Sequence, residues 1–367
     1  MSDMQTTFID LLKCKTITKN HEEVKRAFDI VESFFPKDIF EVHYFESNGF
    51  VSQVVSFKGV DWKDTDLLLN GHMDVVPAPD EDFDPRVDGD KIFARGTSDM
   101  KGGIVAMMYA LRDIGLAGKS LNCALLLNSD EEIGGQNGAG YFVDGLKAKS
   151  KFVLVADGPQ FDEFRITAKE KGVVWLEVKT KGKSSHSSRP WLGDNALDKL
   201  IKALADIKRI TDATEIEDWK TTANIGFIGT DNQAYNKVPD NARAVVDIRF
   251  TEDIALHPEQ LVEKLQAELG DEVELNIIVG GSVVNTDIEH PFVKEISQIA
   301  SQVYNKDIQV GFSHAAHDAR YFASKGMPTA LVGTIGANWH AQDEWADLSS
   351  VEKLRDIIYQ FLEKQVK

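Results

Sequence analysis

The chain has 367 residues, which exceeds one usual hydrophobic core and predicts two domains. Its 43% hydrophobic and 27% charged residues are ordinary for a globular protein. Its 41 basic and 59 acidic residues give a formal charge of −18, which disfavours nucleic acid and anionic membranes as partners.

Localisation is predicted from the first residues and from the cysteines. The segment MSDMQTTFIDLLKCKTITKN lacks the apolar core and cleavage site of a signal peptide. No apolar run approaches the roughly 20 residues of a membrane span. Cys14 and Cys123 lie far apart and outside any metal-type cysteine pair, so we expect reduced thiols in a soluble, cytoplasmic protein.

Strand-like and helix-like segments alternate in the first part of the chain. Residues 8–12 predict the start of a helix, and residues 103–114, rich in alanine and methionine, predict a buried helix. The predicted strands are apolar runs at residues 51–57, 66–70, 121–128 and 152–155. This alternation predicts an α/β architecture with helices on both faces of a sheet.

The pattern changes near Gly172, where VVWLEVKTKG alternates apolar and polar residues as a half-exposed strand does. Helices are predicted at residues 195–210 and 259–269, and further strands at residues 223–228, 242–250 and 273–279. We therefore expect a small α+β domain, ferredoxin-like in fold, over residues 172–281.

Helix and strand alternate again after Gly281. Helices are predicted at residues 291–304 and 350–365, with a strand at residues 329–332 between them. The simplest arrangement is one α/β domain, formed by residues 1–171 and 282–367, which the α+β domain interrupts.

Histidine and acidic residues follow several of the predicted strands. In NGHMDVVP, His72 and Asp74 are two residues apart, so both point to the same side of an extended backbone. That spacing suits an imidazole ligand whose other ring nitrogen is held by a carboxylate. The alternative is a surface turn with unrelated polar residues.

Two further motifs are rich in acids. In ARGTSDMKGG, Asp99 precedes the buried helix and is either a metal ligand or a helix cap. In NSDEEIGG, Asp130, Glu131 and Glu132 end an apolar strand, and neighbouring acids there repel one another unless they are solvated or neutralised. Because adjacent strand residues point to opposite sides, one acid could bind a cation while the other handles a proton.

Asp157 in VLVADGP and His340 in NWHAQDEW complete the set, although each alone is typical of a turn. Ligands in open α/β sheets gather beyond the carboxyl ends of the strands, where most of these motifs lie. Histidines mixed with carboxylates suit zinc, cobalt or manganese better than calcium or magnesium.

Charge balance favours two cations over one. Asp99, Glu132 and Asp157 bring three negative charges, which two divalent ions and one hydroxide would neutralise. A shared carboxylate can hold two metals roughly 3.5–4 Å apart. The acidic excess of the chain is thus either a solvated surface or, in part, carboxylates gathered around cations.

These motifs together resemble the M20 metallopeptidases, a family that includes succinyl-diaminopimelate desuccinylases, acetylornithine deacetylases, aminoacylases, dipeptidases and glutamate carboxypeptidases. The segments that carry the resemblance are GHMDVV, GTSDMKGG, DEEIGG, ADGP and NWHA, in the family's order along nearly the whole chain. The resemblance implies an α/β zinc-peptidase catalytic domain with an inserted lid and dimerisation domain, and hydrolysis of linear amides or peptides.

The resemblance also implies a role for each motif residue. His72 and Asp157 would complete one zinc site, Glu132 and His340 the other, and Asp99 would bridge the two. Glu131 would be the general base, and Asp74 would orient His72. The resemblance also marks the Asp99–Met100 peptide as a position that is often cis.

Four residues of the inserted domain match lid positions of the family. His186, in GKSSHSSRPW, would reach the active site of the partner subunit of a homodimer and stabilise the oxyanion. Asn224 and Asn236 would line the substrate pocket. Arg249 would bind a substrate carboxylate, a task that fits its two-pronged guanidinium, although a surface arginine on a strand is the alternative reading.

The chain departs from the desuccinylase pattern in two places. Desuccinylases have Gly-Thr-Ser-Asp where this chain has Ala315, Ala316, His317 and Asp318, and usually have glutamate at the position of Asp157. The second difference favours the carboxypeptidase, dipeptidase and aminoacylase branches. His314 and His317 are interpreted as substrate-loop or structural histidines, with an extra metal pair as the alternative.

A metallohydrolase that cleaves an amide in a small carboxylate-bearing substrate is therefore expected, either an N-acyl amino acid deacylase or a dipeptidase or carboxypeptidase. Two zinc ions per subunit are expected, for which cobalt or manganese could substitute. The alternative is a non-catalytic relative that serves as a binding or assembly protein.

Overall fold

The computed structural model describes residues 2–158, 163–216 and 218–366. The chain divides into two compact units. The first unit comprises Met1–Lys169, Asn285–Ser313 and His317–Lys367, and the second comprises Glu170–Val284 and His314–Ala316.

The N-terminal part of the first unit alternates helices and strands. Its helices are α1 (Asp3–Leu12), α2 (His21–Phe34), α3 (Gly102–Leu116) and α4 (Tyr141–Asp144). Its strands are β1 (Phe40–Ser47), β2 (Phe50–Phe57), β3 (Asp64–His72), β4 (Arg86–Asp88), β5 (Lys91–Phe93), β6 (Cys123–Asn128), β7 (Lys149–Val155) and β8 (Ile166–Glu170).

The second unit has the order of elements of a ferredoxin-like fold. In chain order it contains β9 (Gly172–Lys181), α5 (Ala196–Ile210), β10 (Thr222–Gly229), β11 (Asn241–Phe250), α6 (Pro258–Leu269) and β12 (Val273–Gly281). The strands form an antiparallel sheet in the order β10-β11-β9-β12. Buried residues of β9 and β11 alternate with exposed ones and share a core with α5 and α6.

The C-terminal part returns to the first unit. It contains β13 (Val284–Asn285), α7 (Pro291–Tyr304), β14 (Val310–Ser313), α8 (Ala319–Ala323), β15 (Thr329–Leu331), β16 (Gly336–Ala337), β17 (Trp345–Asp347) and α9 (Leu348–Lys364). Of these, β16 and β17 join β4 and β5 in a small sheet of their own.

The main sheet of the first unit has the order β1-β2-β6-β3-β7-β15-β8-β13, with β14 paired to β8. Its centre is parallel: β3 pairs with β6 and β7, and β7 pairs with β15. The carboxyl ends of these central strands therefore meet at one edge of the sheet.

Both faces of the central strands are covered. Leu69, Leu125 and Phe152 belong to the core that contains α1, α3, α7 and α9. Leu68 and Val153 point to the opposite face, since neighbouring strand residues alternate, and they are buried as well. Burial of each such side chain stabilises the fold by about 1.5–3 kcal/mol.

The structure confirms the predicted α/β fold class with its α+β insertion. The predicted start of the first helix at residues 8–12 is wrong, because α1 begins at Asp3 and ends at Leu12. The Ser2 side chain accepts a hydrogen bond from the Gln5 N–H and caps the helix there. Among the described residues, no helix has the length and hydropathy to cross a membrane.

Gly103, in the first turn of α3, predicts a measurable packing constraint. A Cβ at this position would lie 2.2 Å from the carbonyl oxygen of Ala156, which follows β7. Gly103→Ala should therefore lower the free energy of unfolding by about 1–3 kcal/mol, despite the better helix propensity of alanine. Urea titration measures this difference.

The matched control is Gly311→Ala, because a Cβ at Gly311 meets nothing within 4 Å. We expect the control to unfold at nearly the wild-type urea concentration. Equal stability of the Gly103 and Gly311 variants would contradict the close approach of α3 to the strand.

Candidate metal centre

Three of the motifs lie where the parallel strands end. His72 is the last residue of β3, Glu131 and Glu132 follow the end of β6 at Asn128, and Asp157 follows the end of β7. Because β3 lies between β6 and β7 in parallel, these side chains arrive at one edge of the sheet.

His72, Asp99 and Asp157 form a first group of possible metal ligands. One ligand atom from each residue lies within 4.8 Å of the others. The Nε2 atom of His72 is 3.1 Å from Oδ1 of Asp99 and 3.6 Å from Oδ2 of Asp157. All three side chains are largely buried, so their charges are poorly screened by solvent.

Asp99, Glu132 and His340 form a second group with the same spacing limit. The Nε2 atom of His340 is 3.2 Å from Oδ2 of Asp99 and 3.1 Å from Oε2 of Glu132. Asp99 therefore directs one oxygen to each imidazole. The Asp99–Met100 peptide bond is cis, as the resemblance implied.

The carboxylates make this site attractive to positive charge. Burial lowers the pKa of His72, but hydrogen bonds that the imidazole donates to Asp157, Asp74 and Asp99 outweigh this effect and raise the pKa well above its usual value. Hydrogen bonds to Asp99 and Glu132 raise the pKa of His340 to about 10. A divalent cation fits the same donor set, because imidazoles and carboxylates face one another in both groups.

Asp74 holds two parts of the site together. The Nδ1 atom of His72 lies 3.0 Å from the backbone carbonyl of Asp74 and 3.5 Å from its Oδ1. The Asp74 carboxylate also accepts hydrogen bonds from the backbone N–H groups of Glu131 and Glu132, at 3.2 and 3.3 Å. Its second oxygen accepts from the Thr18 hydroxyl as well. Asp74 thus orients the acidic turn in addition to His72.

Glu131 sits in an unusual environment for a carboxylate. Burial raises its pKa well above the usual value, and the charges of Asp318 and Asp157 act in the same direction. Asp318 is itself buried and accepts a hydrogen bond of 2.6 Å from the Asn128 side chain. Burial, with a contribution from Asp130, raises the pKa of Asp318 to about 7.

Sequence reasoning missed Asp318 as part of the site surroundings. Its only signal in the sequence was an acid inside the loop that departs from the desuccinylase pattern. The nearby Arg320 donates a hydrogen bond to the carbonyl of Gly134, in the turn that follows Glu131 and Glu132. Residues from a distant part of the sequence, Asp318 and Arg320, therefore contact β6 and the turn that follows it.

The predicted substrate residues lie in the second unit. Asn224 and Arg249 line one cavity of about 440 Å³, which Lys171, Lys208 and His314 also line. The Arg249 guanidinium donates to both carboxylate oxygens of Asp247, at 2.8 and 3.2 Å.

The remaining two predicted residues of the second unit are exposed. Asn236 lies in the loop before β11, where its carbonyl accepts from the Ser187 N–H, and it does not line that cavity. His186 contacts the Ser188 hydroxyl through Nδ1 at 2.8 Å. Among the described residues, neither His314 nor His317 belongs to a group that could hold a metal.

An α/β unit that gathers two histidines and three carboxylates near the carboxyl ends of its parallel central strands defines a candidate metal centre. The model of Peptidase family M20/M25/M40 matches residues 68–364, so the chain belongs to this family of metallopeptidases. It is a metal-dependent hydrolase of amide or peptide bonds.

The relatives and the similar structures agree with this assignment. Succinyl-diaminopimelate desuccinylases are 26% identical in Pelagibacter ubique, over 81% of this chain and 82% of that protein, and 28% identical in Acidiphilium cryptum, over 80% and 81%.

Among solved structures, the metallo-carboxypeptidase Sso-CP2 of Sulfolobus solfataricus has a TM-score of 0.75 at 21% identity, with 99% of each chain covered. The aminopeptidase PepT of Bacillus cereus has a TM-score of 0.76 at 20% identity and covers 99% of this chain and 98% of its own. These two likenesses show the fold.

Removal of metal should destabilise the protein as well as inactivate it. The buried carboxylates of the two groups lose their counter-charge when bound metal leaves. A ligand present at about 100 times its Kd stabilises the folded state by about 2.7 kcal/mol, and this contribution disappears on chelation.

Calorimetry of the zinc-loaded protein with and without EDTA measures this effect, and we expect a lower Tm in EDTA. Addition of excess zinc should restore the original Tm, which controls for effects of the chelator itself. An identical melting curve in EDTA would argue against metal at this site.

Proposed function

We propose that this chain is a two-zinc hydrolase that cleaves an amide bond in a small substrate bearing a carboxylate. The observation that carries the proposal is the position of Asp99, which directs one carboxylate oxygen to each of two histidines. The substrate class is an N-acyl amino acid or a short peptide cleaved by a dipeptidase or carboxypeptidase reaction.

In this proposal His72 and Asp157 hold one zinc ion, Glu132 and His340 hold the other, and Asp99 bridges the two. Cobalt or manganese could replace zinc in such a donor set. A bound zinc pair supplies Lewis acidity, which favours deprotonation of water near neutral pH and polarises a carbonyl group.

Glu131 is the proposed general base. It accepts the proton of the attacking water and delivers it to the nitrogen of the leaving amine. Asp74 keeps the Glu131 backbone in place through its hydrogen bond of 3.2 Å. Glu132 lies 3.1 Å from His340 and serves as the ligand, which leaves proton transfer to its neighbour Glu131.

We propose that residues 172–281 form a lid and dimerisation domain inserted into the catalytic domain. Arg249 binds the substrate carboxylate, and Asn224 and Asn236 line the substrate pocket. The shared cavity supports this for Arg249 and Asn224. His186 of one subunit stabilises the developing oxyanion in the site of its partner.

The proposal includes two classes of substrate, and different observations favour each class. The desuccinylase relatives favour N-acyl amino acids. The peptidases of similar fold favour short peptides. Asp157 and the altered loop at Ala315–Ala316 disfavour the desuccinylase branch and are compatible with both aminoacylases and peptidases. The presence of Glu131 and every proposed metal ligand favours catalysis over a non-catalytic binding or assembly role.

A substrate screen tests the proposed function. The zinc-loaded protein should release free amine from at least one member of a panel of N-acetyl amino acids, N-succinyl amino acids and dipeptides. Substrates whose carboxylate is amidated should react markedly more slowly, because Arg249 then has no anion to bind. Ninhydrin detection or chromatography of the products measures the rate.

The matched control is Glu131→Gln, which keeps the shape of the side chain and removes only its basicity. We expect this variant to retain both zinc ions by metal analysis and to lose a factor of about 10²–10⁴ in kcat. Wild-type turnover in the variant would remove the base assignment. No hydrolysis across the panel by the metal-loaded wild type would refute the function.

The dimeric arrangement predicts that two inactive variants complement each other. A mixed dimer of His186→Ala and Glu131→Gln subunits contains one site with an intact Glu131 and an intact partner histidine. Random reassociation should therefore recover about a quarter of the wild-type activity.

Light scattering checks that the species is a dimer, and each variant alone serves as the control. Mixtures no more active than the separate variants would show that His186 does not act across the interface.

A further inference from the structure

A second buried carboxylate lies behind Asp99, outside the proposed ligands. One oxygen of Glu344 accepts hydrogen bonds from Nη1 of Arg95 at 2.7 Å and from the Gly96 N–H at 2.9 Å. The other oxygen accepts from the backbone N–H groups of Ser98 and Asp99, at 3.0 and 3.2 Å. Both oxygens of the Glu344 carboxylate therefore accept hydrogen bonds from residues 95–99, the segment that contains Asp99.

The same ion pair reaches the loop that carries His340. The Nη2 atom of Arg95 donates a hydrogen bond of 2.9 Å to the carbonyl of Ala341, the residue after His340. The Ala94 N–H donates to the backbone carbonyl of Glu344 at 3.2 Å, continuing the pairing of β5 with β17. Arg95 and Glu344 thus connect two loops that are about 250 residues apart in sequence.

Stability alone does not explain this arrangement. The side chains of Arg95 and Glu344 are 4% and 1% exposed, so both charges pay a large desolvation cost. An apolar pair of similar volume often stabilises a fold as well as a buried ion pair does. What an apolar pair lacks is a set of acceptors that fixes the backbone of Asp99 itself.

The turn at residues 96–100, whose N–H groups donate to Glu344, has an unusual backbone conformation. Gly96 adopts φ = +82°, and a Cβ there would lie 2.8 Å from the Val75 side chain. Asp99 and Met100 then leave the helical conformation before α3 begins. Such a turn has several backbone N–H groups that point to one side, and the Glu344 carboxylate accepts from three of them.

We propose that Arg95 and Glu344 are positioning residues that hold Asp99 and His340 at the spacing that two bridged cations require. The inference rests on the proposed function, since it assigns these residues to the support of the two-metal centre. Partners that hold metal ligands in this way typically change metal affinity or activity by 10–100-fold when they are replaced.

Glu344→Gln is the informative variant. A glutamine has one acceptor oxygen and one NH₂ donor, so in either orientation its NH₂ faces N–H donors of the 95–99 segment. Glu344→Asp keeps two acceptor oxygens and the charge but is one methylene shorter. We expect its effect to lie between that of glutamine and the wild type.

Zinc affinity, measured by competition with a chromophoric chelator, tests the proposal without an activity assay. Glu344→Gln should bind zinc about 10- to 100-fold more weakly than the wild type. The matched control is Thr286→Val, because Thr286 is buried and its side chain bonds only to Thr329 in the part of the chain described by the structure. The control should lose stability and keep wild-type zinc affinity.

The possible outcomes distinguish a failure of the positioning role from a failure of the proposed two-zinc centre. Wild-type zinc affinity in a folded Glu344→Gln protein would overturn the positioning role and leave the proposed function intact. If that variant does not fold, wild-type affinity in Glu344→Asp would overturn it in the same way. A wild-type protein that binds no zinc would refute the two-zinc centre, and the positioning role would fall with it.

Discussion

The first unit places several carboxylates close together at one edge of its sheet, and its structure must offset the repulsion among them. Asp99, Glu132 and Asp157 lie close enough to share partners, and each is largely shielded from solvent. Negative charges at this spacing require compensation from cations, and the raised pKa values of His72 and His340 show how strongly the site favours positive charge. Strand pairing and specific polar contacts hold these groups together against that repulsion.

Strands and loops contribute to this task in different ways. His72 and Asp157 arrive on adjacent parallel strands, whose register is set by backbone hydrogen bonds and by a core on both faces. Asp99 and His340 arrive on loops, which have no such register. The loop of Asp99 is fastened by Lys101, whose buried amine donates to the carbonyls of Leu11 and Cys14 at the end of α1. The position of Asp99 therefore depends on polar contacts of its own segment instead of on strand pairing.

The difference between strands and loops also decides what could be predicted from the sequence. Apolar runs that end in a histidine or an acid marked the strand-borne positions, and alternation from Gly172 onward marked the ferredoxin-like unit. The strand β1 and the helix α2 were missed, although FEVHYFES begins with the alternation of a half-exposed strand and the buried residues of α2, Val24, Ala27, Phe28 and Val31, have helical spacing. The pairing of Arg95 with Glu344 could not be predicted either, since a single sequence contains no signal for a contact across so many residues.

The proposed role of Arg249 has a geometric consequence for the substrate. Its guanidinium is already engaged by Asp247, which also accepts a hydrogen bond of 3.2 Å from the Trp175 indole. The pair is neutral as a whole, so a substrate carboxylate received by Arg249 would bind through the donors that Asp247 leaves open. Of the other cations that line the cavity, Lys208 forms an ion pair with Glu215 at 3.5 Å, so attraction by net charge would come mainly from Lys171. In the proposed role, Asp247 would fix the direction of the guanidinium, and geometry, more than charge, would select the substrates whose carboxylate can reach it.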